Sequence, residues 1–272
     1  MDFRVQFHNG PAMTRNIKLT IAYDGTDFSG WQVQPGLRTV QGMLAKAVTC
    51  VTREEVLVHG SGRTDAGVHA LGQVAGFFTS SPIPAPNLVI ALNDSLPLSI
   101  RVLSAEEVAE DFHPRKSAKA KTYRYRICRA AICSPFEVRF VYHHPWPLDE
   151  EAMKAAASSV LGQHDFTSFA ASDPDRLQRI AANAEDDDEA PSNIRTIFRS
   201  ELRREGHELI YEVRGNGFLH HMVRNLVGLF LLVGKGTVTV PQIKEILAAR
   251  NRSVNPGATA PASGLALVSV EY

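Results

Sequence analysis

Gly60-Ser61-Gly62-Arg63-Thr64-Asp65-Ala66-Gly67-Val68-His69-Ala70 is the stretch around which this chain is organised. Short apolar runs flank it, Glu55 to His59 and Leu71 to Thr79, and both read as strands. A simple hairpin joins two strands with about 2–5 residues. This connection is longer and carries three glycines, which allow positive φ and close approach of backbone to a ligand. A cation, a hydroxyl, a carboxylate and an imidazole sit between them. A Gly/Ser/Asp-rich connector is ordinarily a solvated loop. The i, i+2 spacing of Arg63 and Asp65 on a glycine-flanked turn can instead aim both into one cleft.

Working outward, Ile17 to Tyr23 alternates as a strand, with Ile17, Leu19 and Ile21 against Lys18 and Thr20. Thr39 is placed to cap a helix bearing Val40, Leu44, Ala47, Val48 and Val51 on one face. Pro86-Asn87 opens a second helix, through about Asp94, and Ser99 to Leu103 makes a strand. The order is βαββαβ, that of ferredoxin-like domains. After a basic connector the order recurs. Thr122 to Arg129 is a strand, and Asp149 caps a helix through about Leu161. Asn193 to Arg203 and Glu208 to Arg214 are paired strands. Phe218 to Val233 is a long apolar helix, Pro241-Gln242 starts another, and Leu265 to Val270 is the last strand.

The expected fold is therefore α+β. Two tandem ferredoxin-like halves form one extended, mostly antiparallel sheet, with helices packed on it and a central cleft. Residues 1–15 are expected to be a flexible tail, 16–111 the first half, 112–121 a basic connector and 122–272 the second half. Ser172 to Ser192, with the acidic run Glu185-Asp186-Asp187-Asp188-Glu189, is expected to be a mobile excursion from that half.

The chain has 272 residues, 44% hydrophobic and 21% charged, in the range of a soluble globular protein. Three cysteines without a Cys-x-x-Cys pair point to a reducing compartment. No signal peptide is evident, and the apolar run Asn225 to Val233 is too short to span a bilayer, so the expectation is cytoplasmic. Net charge is zero, but setting aside the five-acid run leaves 29 basic against 24 acidic residues. From Arg115 to Arg129 there are seven basic residues and no acid, a stripe that could follow a phosphate backbone or be an ordinary solvated face.

Three further patterns carry chemistry. In Gly217-Phe218-Leu219-His220-His221-Met222-Val223-Arg224-Asn225 an arginine sits on an otherwise apolar helix. It is either snorkelling to solvent or held by a buried acid. In Lys121-Thr122-Tyr123-Arg124-Tyr125-Arg126, alternation sends the tyrosines to one face and the arginines to the other. Pro261-Ala262-Ser263-Gly264-Leu265 precedes the last strand. Ten histidines raise a metal hypothesis, but the pairs His143-His144 and His220-His221 are adjacent, so on regular structure their rings diverge, and no metal is expected.

Gly62 to His69 closely resembles the active-site loop of the tRNA pseudouridine synthase A family, and the resemblance runs in order from about Ile17 to Glu271. It implies isomerisation of uridine to pseudouridine on the 3′ side of the anticodon loop and adjoining stem of tRNA, by a homodimer without cofactor. It implies that Asp65 is the nucleophile, Arg224 its ion-pair partner and Tyr123 the ring that stacks on the target uracil. It further implies that Leu265 closes over the base, and it leaves Arg63 to contact the RNA backbone around the extruded nucleotide. Gly30-Trp31-Gln32, Val40-Gln41 and Phe112-His113-Pro114-Arg115 resemble family positions near RNA. The connection at Ser172 to Ser192 is longer than is usual there. Two other classes remain: a non-catalytic RNA-binding module, for which strands, aromatics and basic stripes serve equally, and a metal-dependent hydrolase using Asp65, His69 and His113.

Overall fold

The computed structural model describes residues 14–171 and 192–272. The expected tail lies outside them except at its end, as does the expected excursion except for Ser192. The first half runs β1 (Arg15–Tyr23), α1 (Val40–Thr52), β2 (His59–Gly60), β3 (His69–Thr79), α2 (Ala85–Ser95) and β4 (Ile100–Val108). The second runs β5 (Ala120–Cys128), β6 (Tyr142–His143), α3 (Glu150–Ser158), β7 (Gly162–Asp165), β8 (Ile194–Glu205), β9 (Glu208–Gly215), α4 (Met222–Gly234), α5 (Val240–Ala249) and β10 (Leu265–Glu271). All ten strands form one sheet in the order β4-β1-β3-β10-β5-β9-β8-β7, with β2 beside β3 and β6 beside β5. The first half contributes β4-β1-β3 with β2 outside; the second repeats the arrangement as β10-β5-β9-β8. Among the described residues only β10 on β3 and β6 on β5 pair parallel.

Local chemistry sets the helix starts. The Thr39 hydroxyl accepts from Gly42 N, and the Asp149 carboxylate from Ala152 N, as their sequence positions require. Thr239 and Gln242 close a reciprocal capping box on α5. Val40, Leu44, Ala47 and Val48 are buried, as the helical period requires, while Val51 packs at the edge of the core.

Several boundaries differ from expectation. The strand foreseen at Glu55 to His59 contracts to His59–Gly60. The Val58 carbonyl accepts from Gln41 Nε2 at 2.8 Å instead of joining a ladder, and Glu54 is drawn to Thr79 and Ser80. β4 runs on to Val108, because β1 begins at Arg15 and offers partners as far as Asn16. α3 stops at Ser158, where Ser159 turns its hydroxyl onto the Ala156 carbonyl. The long apolar helix begins at Met222 rather than Phe218, because His221 adopts a left-handed backbone with φ 59°. β6 and β7 are too short for alternation to reveal.

The contraction of β2 positions the site. β3 pairs with β2 only at Ala75 and Gly76, and with β10 at His69 and Ala70. Where β2 leaves the sheet, the last strand of the chain takes its place, and residues 61–68 lie at this junction between the halves.

Candidate active site

The loop of residues 61–68 is held mainly through its backbone. Ser61 N donates to Val74 O, and Gln73 receives the Ser61 hydroxyl at 2.6 Å while its Nε2 donates to Gly62 O at 2.9 Å. Thr64 O accepts from Trp31 N at 3.0 Å, and the Thr64 hydroxyl meets the Tyr23 hydroxyl at 2.8 Å. The buried Trp31 ring stands against Gly60, where a Cβ would come within 2.6 Å of its Nε1. A Cβ on Gly30 would lie 2.8 Å from Thr64 O, and one on Gly25 would overlap the Val68 carbonyl oxygen. Two glycines from outside the loop thus give it room. Within it, Gly67 has φ +77°, a conformation that L side chains rarely adopt.

So braced, the loop points Asp65 at the N-terminal turn of α4. Arg224 Nη1 donates to Asp65 Oδ2 at 2.8 Å, and its Nε donates to the Ala260 carbonyl at 2.7 Å. The Asp65 and Arg224 side chains are 17% and 14% exposed. Of the two fates open to Arg224 in the sequence, this is the held one. His220 Nε2 lies 3.6 Å from Asp65 Oδ1, and His221 Nε2 lies 3.4 Å from Oδ2. The rings are 4.0 Å apart at 35°. The expectation that adjacent histidines diverge is overturned here, because left-handed His221 is not on regular structure. Burial, opposed by Asp65, holds the His221 imidazole below its ordinary range.

Tyr123 is almost wholly buried, edge-on to Phe218 at 5.1 Å. Burial first, then Tyr23 and Asp65, push its phenol up, so it stays neutral at physiological pH. Its cross-strand partner on β10 is Leu267; Leu265 sits opposite Tyr125 and is buried. Arg63 is exposed on the loop. The structure thus brings Asp65 and Arg224 into contact, with Tyr123 close enough to feel the carboxylate.

The three-residue set Asp65, His69 and His113 does not assemble. His69 Nδ1 accepts from Gly25 N at 3.0 Å, and the His113 ring packs on His59. Among the described residues, those whose ligand atoms converge enough to hold a cation are Asp65, His220 and His221, with a second group at Glu137, His207 and Glu208. The basic stripe is also reshaped. Arg124 and Arg126 point away from the tyrosines, as alternation requires, and there they pair with Glu212 and Glu208.

The model of a family described as tRNA pseudouridine synthase matches residues 19–115 and 156–272. The chain belongs to this family. A tRNA pseudouridine synthase A from Solibacter usitatus is 52% identical, over 95% of this chain and all of that protein. Those from Limosilactobacillus fermentum and Halalkalibacterium halodurans are 45% and 47% identical, covering 94% and 92% of this chain and 95% and 90% of their own lengths. The chain is accordingly an isomerase that converts uridine in tRNA to pseudouridine. Among the described residues no helix is long and apolar enough to cross a membrane.

Reading the sequence residue by residue missed Gly25, whose role depends on a carbonyl 43 positions away, and the approach of both histidines to Asp65. Gly25 follows a strand and looks like turn punctuation. Nothing local distinguishes it from any other Asp-Gly.

Proposed function

We propose that Asp65 is the catalytic carboxylate of this isomerase and that its substrate uridines lie in the anticodon arm. The single observation that carries this reading is the Asp65–Arg224 pair, formed across 159 positions where the two halves join. The reaction breaks the bond from sugar C1′ to N1 of uracil, turns the base, and joins C5 to C1′. It needs no net oxidant or reductant. A carboxylate held by a fixed guanidinium in a partly dried site can act as nucleophile or base. Tyr123 supplies an aromatic surface; stacking there is worth about 1–3 kcal/mol per base, which offsets part of the few kcal/mol, roughly, needed to extrude a nucleotide. Leu265 closes beside it and Arg63 meets the backbone of the opened strand. The anticodon arm is supported by the tRNA pseudouridine synthase A relatives at 42–52% identity.

The same reading places the division between halves at the 112–121 connector, the protein in the cytoplasm, and the working form as a homodimer, which sedimentation at assay concentrations checks. Turnover is expected to be insensitive to chelator. The decisive experiment maps pseudouridines in tRNA from cells with and without this protein and compares Asp65→Asn with wild type in vitro. Asp65→Asn retains side-chain size and the cationic surface, so tRNA affinity stays within about tenfold at fixed salt, about 1.4 kcal/mol. Pseudouridine formation, followed as tritium released from C5-labelled uridine, should be undetectable. Turnover near the wild-type rate in Asp65→Asn would put the nucleophile elsewhere.

A further inference from the structure

Lys121 lies two residues before Tyr123 on the same face of β5. Its Nζ donates to the Ser61 carbonyl at 2.6 Å, at the root of the Asp65 loop. The charged groups that it feels are cations, Arg115 and Arg195. Burial, then these two neighbours, hold its ammonium down to about 8. Arg195, on β8, gives its Nη1 to the carbonyls of Ser192 and Ile194, and burial lowers it too. Neither is paired with a carboxylate among the described residues.

Glycine backbone lies against both side chains. A Cβ on Gly62 would stand 2.9 Å from Lys121 Nζ, and one on Gly217 would stand 3.4 Å from Arg195 Nε. Gly215 is the cross-strand partner of Lys121. Half-buried cations without an anion are costly, and a bound anion relieves the cost. The strand's other cations face the opposite way and are already neutralised by Glu212 and Glu208. Residues i and i+2 of a strand are about 6.6 Å apart, comparable to the separation of a nucleotide's base from its own phosphate.

We propose that Lys121 and Arg195, with Arg115 at the rim, form a subsite for one backbone phosphate of the RNA, next to the uridine held at Tyr123. The subsite rests on the placement of the target base at Tyr123. It fixes the register of the opened strand, so that the base it belongs to is delivered to Asp65. Lys121 contributes a point charge and Arg195 a planar donor.

The test uses the full chain and a ligated synthetic tRNA. Each charged phosphate that a protein cation neutralises adds about 0.7–1 to the slope of log affinity against log salt, and Lys121→Gln is expected to make that slope shallower by about this amount. It should raise KM about tenfold with kcat within threefold of wild type, and Lys121→Arg should restore the slope. Arg195→Gln should act in the same direction. The second arm needs no protein variant: a tRNA carrying a neutral methylphosphonate 5′ or 3′ of the target uridine should bind wild type about tenfold more weakly at one of the two positions. The same substitution should weaken Lys121→Gln clearly less than wild type, by the share that Arg195 and Arg115 still supply. An unaltered salt slope in Lys121→Gln, or a loss confined to kcat, overturns the proposal and makes Lys121 a strut for the Ser61 carbonyl. Equal weakening of wild type and Lys121→Gln by the methylphosphonate also overturns it. Wild type that forms no pseudouridine in any tRNA instead refutes the function on which the subsite rests.

Discussion

Replacing Arg224 with Leu removes two hydrogen bonds at once, to Asp65 Oδ2 and to the Ala260 carbonyl. A hydrogen bond involving a charged group contributes about 1.5–3 kcal/mol, and removing one member of a buried ion pair costs about 3–5 kcal/mol. Asp65 keeps some contact with solvent and has two imidazoles within 3.6 Å, which recover part of that. A net loss of about 2–3 kcal/mol falls on the carboxylate, or roughly 30- to 150-fold in turnover. The fold should suffer less, because leucine suits the apolar surroundings of α4; a fall in Tm of a few degrees is expected. Arg224→Lys should recover only part of the rate, since one ammonium cannot reach both partners in the way that the guanidinium fork does. Turnover is read as tritium release from C5-labelled tRNA under saturating substrate, with thermal melts run alongside. Wild-type kcat, within threefold, in a folded Arg224→Leu protein would refute the idea that this pair holds the reacting carboxylate.

Gly25→Ala places a Cβ against the Val68 carbonyl and should displace the loop, cutting kcat by about a hundredfold or more while costing about 1–3 kcal/mol of stability; activity near wild type would show that the loop tolerates the shift. Gly228→Ala sets two effects against each other. Helix propensity favours alanine by about 1 kcal/mol, but its Cβ would overlap the Ala258 carbonyl, so the net effect in urea melts should be destabilising, and a stabilised variant would contradict the packing. Lys121 gives a pH signature. Its folded pKa, about 8, is below the 10.5 of the free side chain. Between those values the unfolded chain holds the proton that the folded chain has lost, so stability rises with pH there. The stability of wild type relative to Lys121→Met should therefore increase from pH 8 to 10 by up to about 1 kcal/mol per pH unit; parallel urea midpoints at the two ends would show that the ammonium is solvated.

The order of elements was legible because it depends on local signals. Ile17, Leu19 and Ile21 alternate on β1, and Thr39 and Asp149 sit one residue before their helices. The join between the halves was not, because parallel pairing of Ala266 with His69 is a contact across nearly two hundred positions and has no local pattern. The sides taken by Tyr123 and Arg124 followed from the two-residue period. That Arg124 would meet Glu212 depends on the register of β5 on β9, which alternation does not fix. The histidine pair was misjudged for a different reason. A left-handed residue that is neither Gly nor Asn leaves no mark in sequence, and His221 turns at the entrance of α4 where a longer helix was expected.

The position of β10 has a consequence for how the protein is made. Of the described strands β10 comes latest in the sequence, yet it occupies the middle of the sheet, between β3 and β5. Until it emerges, the N-terminal half presents the start of β3 as an unpaired edge, and such edges invite pairing with other chains. Asp65 has by then been synthesised for some time, but Ala260, which fixes Arg224, precedes β10 by only a few residues. One short stretch of chain, from Ala260 through β10, therefore completes both the sheet and the ion pair's support.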